Sequence, residues 1–337
     1  MTNPRFIVEN TLIPHHAFEE ATRRLEQCFA YSENASEPTC IALVGESRTG
    51  KSRALEECND RHSSSRDDFG LNMPILRVKT PSKPTVKSLA ELMLRAMKDP
   101  IFDQGTENAK TSRLQTLMRN CGTRMVMIDE FQHFVDKGSH KVMHHVADWL
   151  KILVDDSRIA LVVAGLPTCQ AVLEQNEQLD GRFLSPVYLP RFDWLRHDHR
   201  EEFIAILGAF HDSLSRHFDL PILDGEEMAF RCYCGTGGLM GYLSKFLRQM
   251  VWNALDAKKN SISLQDLAQA HDEAVWAKSG PRGIPNPFTK AFSHAPTEDI
   301  VARVQRMGVP KEPQPSTRTR PPERNEGFTV RQILSAT

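Results

Sequence analysis

The run Gly45-Glu46-Ser47-Arg48-Thr49-Gly50-Lys51-Ser52 meets every fixed position of G-x-x-x-x-G-K-[ST]. That spacing serves phosphate capture. Glycines let the backbone turn successive N–H groups inward onto an anion. A helix N-terminus behind the loop adds partial positive charge. In such a loop Lys51 reaches the β- and γ-phosphates of a nucleoside triphosphate, and the Ser52 hydroxyl holds Mg²⁺. The contacting set is expected to run from Gly45 to Arg53. A chance Gly-rich turn is the competing reading, and the flanks argue against it. Residues 39–44 form an apolar run short enough for a buried strand, and residues 53–58 can continue as a helix.

Residues 125–130 supply the second half of a phosphoryl-transfer site: an apolar strand ending in Asp129 and Glu130. Asp129 is placed to hold the Mg²⁺ shell and Glu130 to polarise a water for attack on the γ-phosphate. Transition-state charge also needs a cation, and an arginine from a neighbouring subunit can supply one. Arg182 lies between the predicted fourth and fifth strands, where a subunit edge would present it. Arg191 and Arg196 are its alternatives, and a surface pair with Asp180 or Glu177 is the bland one. Thr168, just past the fourth strand, is the available side chain for sensing the γ-phosphate. Gly241 stands where a sensing arginine is expected in the helical region, with Lys245 one turn on.

Other clusters read as structural. Cys232 and Cys234, and His197 and His199, lack paired C-x₂-C spacing for zinc. His140, His144 and His145 read as solvated or satisfied rather than as metal ligands, and Phe131 and Phe134 as core.

Alternation organises the elements that must position these groups. Strands are predicted at 39–44, 73–78, 125–129, 159–164 and 187–189, with helices over 86–97 and 141–154. Continuous apolar strands alternating with helices imply an α/β unit with a five-stranded parallel sheet covered on both faces. Residues 1–38 read as a helical lead-in, with Phe18, Ala21, Leu25, Cys28 and Phe29 at helical spacing. Ile13, Pro14 and His15 are candidates for covering a base. Residues 39–192 form the nucleotide-binding core, and 193–278 an all-helical lid with helices over 200–214, 225–232, 238–257 and 264–277. Residues 279–337 read as a flexible basic, Pro-rich tail.

Composition sets further bounds. The chain has 337 residues, 40% hydrophobic and 25% charged, the mixture of a globular protein. Met1-Thr2-Asn3-Pro4-Arg5 leads into a polar segment rather than a signal peptide. Seven scattered cysteines suit reduced thiols, so a cytoplasmic protein is expected. Net charge is −1, so no overall positive field announces nucleic acid, and DNA contact needs a local patch. The candidates are Lys79, Lys83 and Lys87 after the second strand, and Lys137 and Lys141 after the acidic pair. Lysines at those two places would touch phosphates without reading sequence. An ordinary solvated face is the competing reading.

The phosphate loop does not stand alone. Ile128-Asp129-Glu130-Phe131-Gln132-His133-Phe134, Asp136-Lys137-Gly138-Ser139 and Ala147-Asp148-Trp149-Leu150-Lys151 accompany it. So do Gly181-Arg182-Phe183 and Pro285-Asn286-Pro287-Phe288. Together, over roughly residues 5–290, they resemble the TniB/TnsC family of transposon-encoded AAA+ ATPases. The resemblance implies an AAA+ P-loop fold and hydrolysis of ATP to ADP and phosphate with Mg²⁺. It implies a homo-oligomer on double-stranded DNA, a ring or filament of about six or seven subunits per turn. ATP would lie between subunits, with Arg182 of one reaching the phosphate held by Lys51 of the next. Hydrolysis would then loosen the assembly. The implied partners are a TniQ-type target selector and a DDE transposase of the TnsB or TniA type. Length and tail resemble the TnsC of CRISPR-associated transposons. Two other classes fit the same loop: a helicase-loader or initiator-like DNA-binding ATPase, and a small-molecule kinase. The helical unit and the candidate arginine argue against the kinase.

Overall fold

Apolar strands that alternate with helices leave the chain one economical solution, a parallel sheet with helices on both faces. The computed structural model describes residues 4–308, with 12, 14, 33–36, 69, 276–283 and 294 excepted. Strands β1 (Cys40–Val44), β2 (Ile75–Lys79), β3 (Met125–Asp129), β4 (Ala160–Gly165) and β5 (Val187–Tyr188) form one sheet in the order β2-β3-β4-β1-β5. Every pairing is parallel: Val44 lies opposite Gly165 and Tyr188, and Lys79 opposite Asp129. The segments leaving β1, β2, β3 and β4 therefore gather along one edge, where ligands bind in open α/β sheets.

Helices α1 (His16–Tyr31) and α2 (Lys51–Arg61) cover one face of the sheet. Phe18, Ala21, Leu25, Cys28 and Phe29 of α1 are buried with Ile41, Leu43, Ala54, Leu55 and Cys58, as their helical spacing predicts. Helices α3 (Val86–Ala96), α4 (Glu107–Asn120) and α5 (His140–Ser157) pack on the other face. The sequence reading named neither α4 nor the hairpin of Ser65–Asp67 and Gly70–Asn72. Helix α4 buries only Leu114 and Met118 among its apolar residues, and beside them Lys110, whose Nζ lies 2.9 Å from Glu91. That is a weak apolar stripe for any pattern rule to find.

The helices after the sheet, α6 (His197–Leu214), α7 (Glu226–Thr236), α8 (Met240–Asp256) and α9 (Leu264–Ala274), share a separate core. Ile7 and Val8 belong to this core rather than to the sheet. So does part of the stretch expected to be a flexible tail. Phe288, Phe292, Ile300, Val301, Val304 and Met307 are buried in it, the last four around helix α10 (Glu298–Gln305). The physical reason is an apolar face that the Pro, Arg and Lys composition hides. Of 279–337, residues 279–283, 294 and 309 onward lie outside the described residues, as do Pro14 and the last two residues of the helix expected over 264–277. Among the described residues no helix is long and apolar enough to cross a membrane.

Phe288 stacks on Phe246 with ring centroids 4.7 Å apart. Phe288→Ala is expected to lower unfolding free energy by about 3–5 kcal/mol, the cost of truncating a buried aromatic. Denaturant unfolding measures it, and a change under about 1 kcal/mol would show that this segment is not part of the core.

Candidate functional site

The phosphate loop is held from beneath and from above. A Cβ on Gly45 would lie 2.3 Å from the Leu189 carbonyl oxygen, so only glycine lets β5 and the loop approach this closely. Thr49 Oγ1 donates to the Glu46 carbonyl at 3.0 Å and braces the turn. Gly50 takes a φ of 107° as α2 begins. From above, the Gly241 N–H at the start of α8 donates to the Arg48 carbonyl at 2.9 Å. A Cβ on residue 241 would sit 2.8 Å from the Arg48 Cβ. Glycine at 241 thus lets the helical unit rest on the loop, in place of the sensing arginine expected there. The Arg48 guanidinium lies 4.5 Å from the Tyr242 ring centroid, a second tie between the same elements.

A cavity of about 620 Å³ opens over this loop. Ser47, Arg48, Gly50, Lys51, Ser52 and Arg53 line one side, and Asp129, Glu130 and Gln132 the other. Val8, Ile13, His15 and Phe18 close it from the N-terminal segment, and Met240, Gly241, Ser244 and Arg248 from α8. The two halves predicted from the sequence thus face one space, although nearly eighty residues of chain separate them. His15 is buried with its Nδ1 unpartnered among the described residues, and burial lowers its pKa.

Lys51 bends back onto its own loop, donating from Nζ to the carbonyls of Gly45 at 2.7 Å and Glu46 at 2.5 Å. Burial lowers its pKa, opposed by the nearby charges of Glu130, Asp129 and Glu46. Two neutral carbonyls therefore hold an ammonium that a polyphosphate would hold better. Asp129 is buried; its Oδ1 accepts the Glu130 N–H at 2.9 Å, and its Oδ2 has no hydrogen-bond partner among the described residues. Arg77 Nη2 is 3.9 Å from that oxygen and donates to the Ser52 carbonyl at 3.2 Å. An orphaned buried carboxylate oxygen that shares a cavity with the Ser52 hydroxyl is a donor set that fits a hard divalent cation.

Glu130 has a φ of 57°, left-handed backbone that costs a non-glycine residue about 1–3 kcal/mol. Gln132 Nε2 donates to Glu130 Oε2 at 2.6 Å, while Gln132 Oε1 accepts the Leu166 N–H at 3.2 Å. Gln132 thereby joins the acid to the end of β4. Thr168 is exposed in the following turn and does not line the cavity. Sequence reasoning missed Gln132; its spacing of two from Glu130 was the available signal. It also missed Arg248, which pairs with Glu9 at 3.3 Å and lines the cavity where Lys245 does not.

The predicted arginines fall in different places. The Arg182 carbonyl accepts the Cys40 N–H at 3.0 Å, which sets Arg182 beside the start of β1. The phosphate loop leaves the other end of that strand, about 16 Å away at about 3.3 Å per residue. Arg182 Nη2 pairs with Asp155 Oδ1 at 2.8 Å. Arg196 pairs with Asp198 on the surface. Arg191 is buried and saturated: Nε donates to Glu46 Oε1 at 3.0 Å, Nη1 to the Gly237 carbonyl at 3.3 Å and Nη2 to the Met307 carbonyl at 2.9 Å. One guanidinium joins the phosphate loop, the joint between α7 and α8, and the segment after α10. Lys79, Lys83, Lys87, Lys137 and Lys141 are all exposed. Lys79 ends β2 and the other four follow β2 or β3 in the chain, and none of them lines the cavity. Cys232 and Cys234 are buried free thiols, as a structural reading requires.

A family model described as "Bacterial TniB protein" matches residues 4–194. No curated protein matches. Solved structures similar to this chain include the ORC2 protein of Aeropyrum pernix, described in ADPNP–ADP complexes. It shows 14% identity and a TM-score of 0.56 over 81% of this chain and 72% of that one. The Cdc6p of Pyrobaculum aerophilum shows 13% identity and a TM-score of 0.57, covering 80% of this chain and 71% of that one. The A. pernix ORC1 protein in complex with DNA shows 14% identity and a TM-score of 0.56 over 81% and 71%. The chain has the AAA+ α/β fold, a five-stranded parallel sheet followed by helices.

Burying the Lys51 ammonium costs stability that the apo protein does not recover. A lysine whose folded pKa lies below its unfolded 10.5 destabilises the fold at lower pH, and stability returns as pH rises between those two values. Lys51→Met is therefore expected to abolish nucleotide binding without lowering the apo melting temperature. It is also expected to remove part of the gain on raising pH toward 10.5, which thermal unfolding across pH would measure. Arg191→Leu should destabilise by about 2–3 kcal/mol, less than the 3–5 of a fully buried pair because Glu46 is 44% exposed.

Proposed function

The chain belongs to the TniB family, and on that premise we propose that it is an ATP-hydrolysing regulator of DNA transposition that assembles on double-stranded DNA. In this reading ATP enters the cavity with its phosphates on Gly45–Ser52. Lys51 leaves the Gly45 and Glu46 carbonyls for the β- and γ-phosphates. Ser52 and Asp129 are the residues that would hold Mg²⁺, which supplies charge neutralisation on the phosphate oxygens. Glu130, held through Gln132, orients the attacking water. Arg248 on the α8 wall would meet the phosphates, and His15 and Phe18 on the N-terminal wall would meet the base.

One observation carries the reading. The buried, unpartnered Asp129 Oδ2 and the strained Glu130 share a single cavity with the phosphate loop. Arg182 supports a trans arrangement, because it is at the far end of β1 from its own phosphate loop. Ile152, one turn before Asp155, is 47% exposed, and Leu184, two residues after Arg182, is 44% exposed; these are apolar contacts for a neighbouring copy. A neighbour's triphosphate would draw Arg182 from Asp155, so nucleotide would cement a ring or filament and hydrolysis would loosen it. The five exposed lysines support backbone contact with DNA, since no ion pair among the described residues involves them. A TniQ-type target selector and a DDE transposase are the proposed partners. The helicase-loader or initiator class is the alternative, and pulldown against transposase or helicase separates them.

Glu130→Gln is expected to lower ATP turnover by about 10²–10⁴-fold while nucleotide binding survives. Arg182→Ala is expected to lower it by about 10³–10⁵-fold and to abolish ATP-dependent assembly on duplex DNA. ATPase assays and electron microscopy with and without duplex test both. Assembly and turnover that survive Arg182→Ala would overturn the trans arrangement. Replacing Lys79, Lys83 and Lys137 together should flatten the salt dependence of DNA binding by about three units of log–log slope.

A further inference from the structure

Away from the cavity, one side-chain cluster has no part in phosphoryl transfer. Glu26 on α1, Cys58 on α2 and His62 at the cap of α2 bring a carboxylate, a thiol and an imidazole together. Their ligand atoms lie within 4.8 Å of one another. We propose that these three side chains form a zinc site that fastens α1 to the helix of the phosphate loop.

The donor chemistry selects the ion. Sulfur, nitrogen and oxygen from three residues, with a fourth position open to water, is a zinc set; a thiolate disfavours magnesium and calcium. Cys58 and His62 are four residues apart, so they point the same way from α2. Glu26 meets them from the adjacent helix. His62 Nε2 lies 2.7 Å from Glu26 Oε2. Tetrahedral zinc with bonds of about 2.0–2.3 Å holds its ligand atoms about 3.3–3.8 Å apart. The His62–Glu26 pair need open by only about 1 Å, within the reach of side-chain rotation. Phe29 stacks on the His62 ring at 3.9 Å between centroids and fixes its plane.

Glu26 Oε1 is buried without a hydrogen-bond partner among the described residues. The nearest cation is Arg61 at 3.6 Å, which is half exposed and also pairs with Glu57 at 3.3 Å. Arg61 can therefore yield to a metal without stranding a buried charge. All seven cysteines are free and buried, yet only Cys58 has both a histidine and a carboxylate in reach among the described residues. Burial and the neighbouring Glu26 push its thiol up to about 12, so alone it stays neutral. Zinc binding would form the Zn–S bond and release the thiol proton to solvent. Helix α1 carries Phe18 into the cavity wall. A staple at Glu26 would hold that wall in place.

The test uses the full chain, expressed with zinc and dialysed against metal-free buffer. Retained metal is counted by mass spectrometry, and cobalt replacement is followed by thiolate charge-transfer absorption. Stoichiometric zinc and a charge-transfer band are expected. Cys58→Ser should abolish the band, and His62→Gln should lower affinity at least about 10-fold. Cys121→Ser should leave both readouts unchanged. If Cys58→Ser fails to fold, His62→Gln, half-exposed at the helix end, carries the test. No retained zinc, or zinc held equally by Cys58→Ser and His62→Gln, an adventitious ion only, would overturn the proposal.

Discussion

A buried guanidinium has to be surrounded by acceptors, and the Arg191 side chain draws its acceptors from three separate parts of the chain. Glu46 comes from the phosphate loop, the Gly237 carbonyl from the joint ahead of α8, and the Met307 carbonyl from the segment after α10. Moving any of them away would leave charge or carbonyl unsatisfied in a dry setting. The sheet and the helical unit have separate cores, and this contact joins them at the point where phosphate would bind. Gly241 and Arg48 repeat the tie a few residues away.

The consequence is a chain of contacts that runs from the lysine of the loop to the helical unit. Lys51 now donates to the Glu46 carbonyl, and the Glu46 carboxylate accepts from Arg191. A ligand that pulls Lys51 outward changes the backbone that carries Glu46. The route from there to the end of the described chain is one side chain long. Coupling of this kind rests on contacts with discrete arrangements, and a bidentate pair has them.

Unfavourable local energy is concentrated in the same place. A left-handed Glu130, an orphaned Asp129 oxygen and a buried Lys51 all lie around one cavity. The three central strands are regular, with every residue of β1, β3 and β4 buried. Well-packed strands supply the stability against which such costs can be set. A substrate that brings phosphates and a cation would offer the Lys51 ammonium and the Asp129 oxygen stronger partners.

Much of this was legible in the residue order. Apolar runs marked the central strands β1, β3 and β4, because a strand buried on both faces takes apolar residues at nearly every position. Gly45–Ser52 and Asp129–Glu130 were legible because phosphate chemistry tolerates few residue types at those spacings. Helix α4 was not, since its stripe is thin and interrupted by Lys110. The segment around Phe288 and Ile300 was masked by its prolines and charges, and only packing revealed its apolar face. Arg182 could be nominated from sequence, but its distance from its own loop follows from parallel pairing alone. Arg248 meets the site through a fold of the chain that no local pattern encodes, whereas Gln132, two residues from Glu130, needed only its own segment. Arg191 read as a spare catalytic cation became a structural one, because burial, and not residue type, decides what a charge must do. Sequence determined which groups the site contains; tertiary structure decided which of them face each other, since that depends on contacts between residues far apart in the chain.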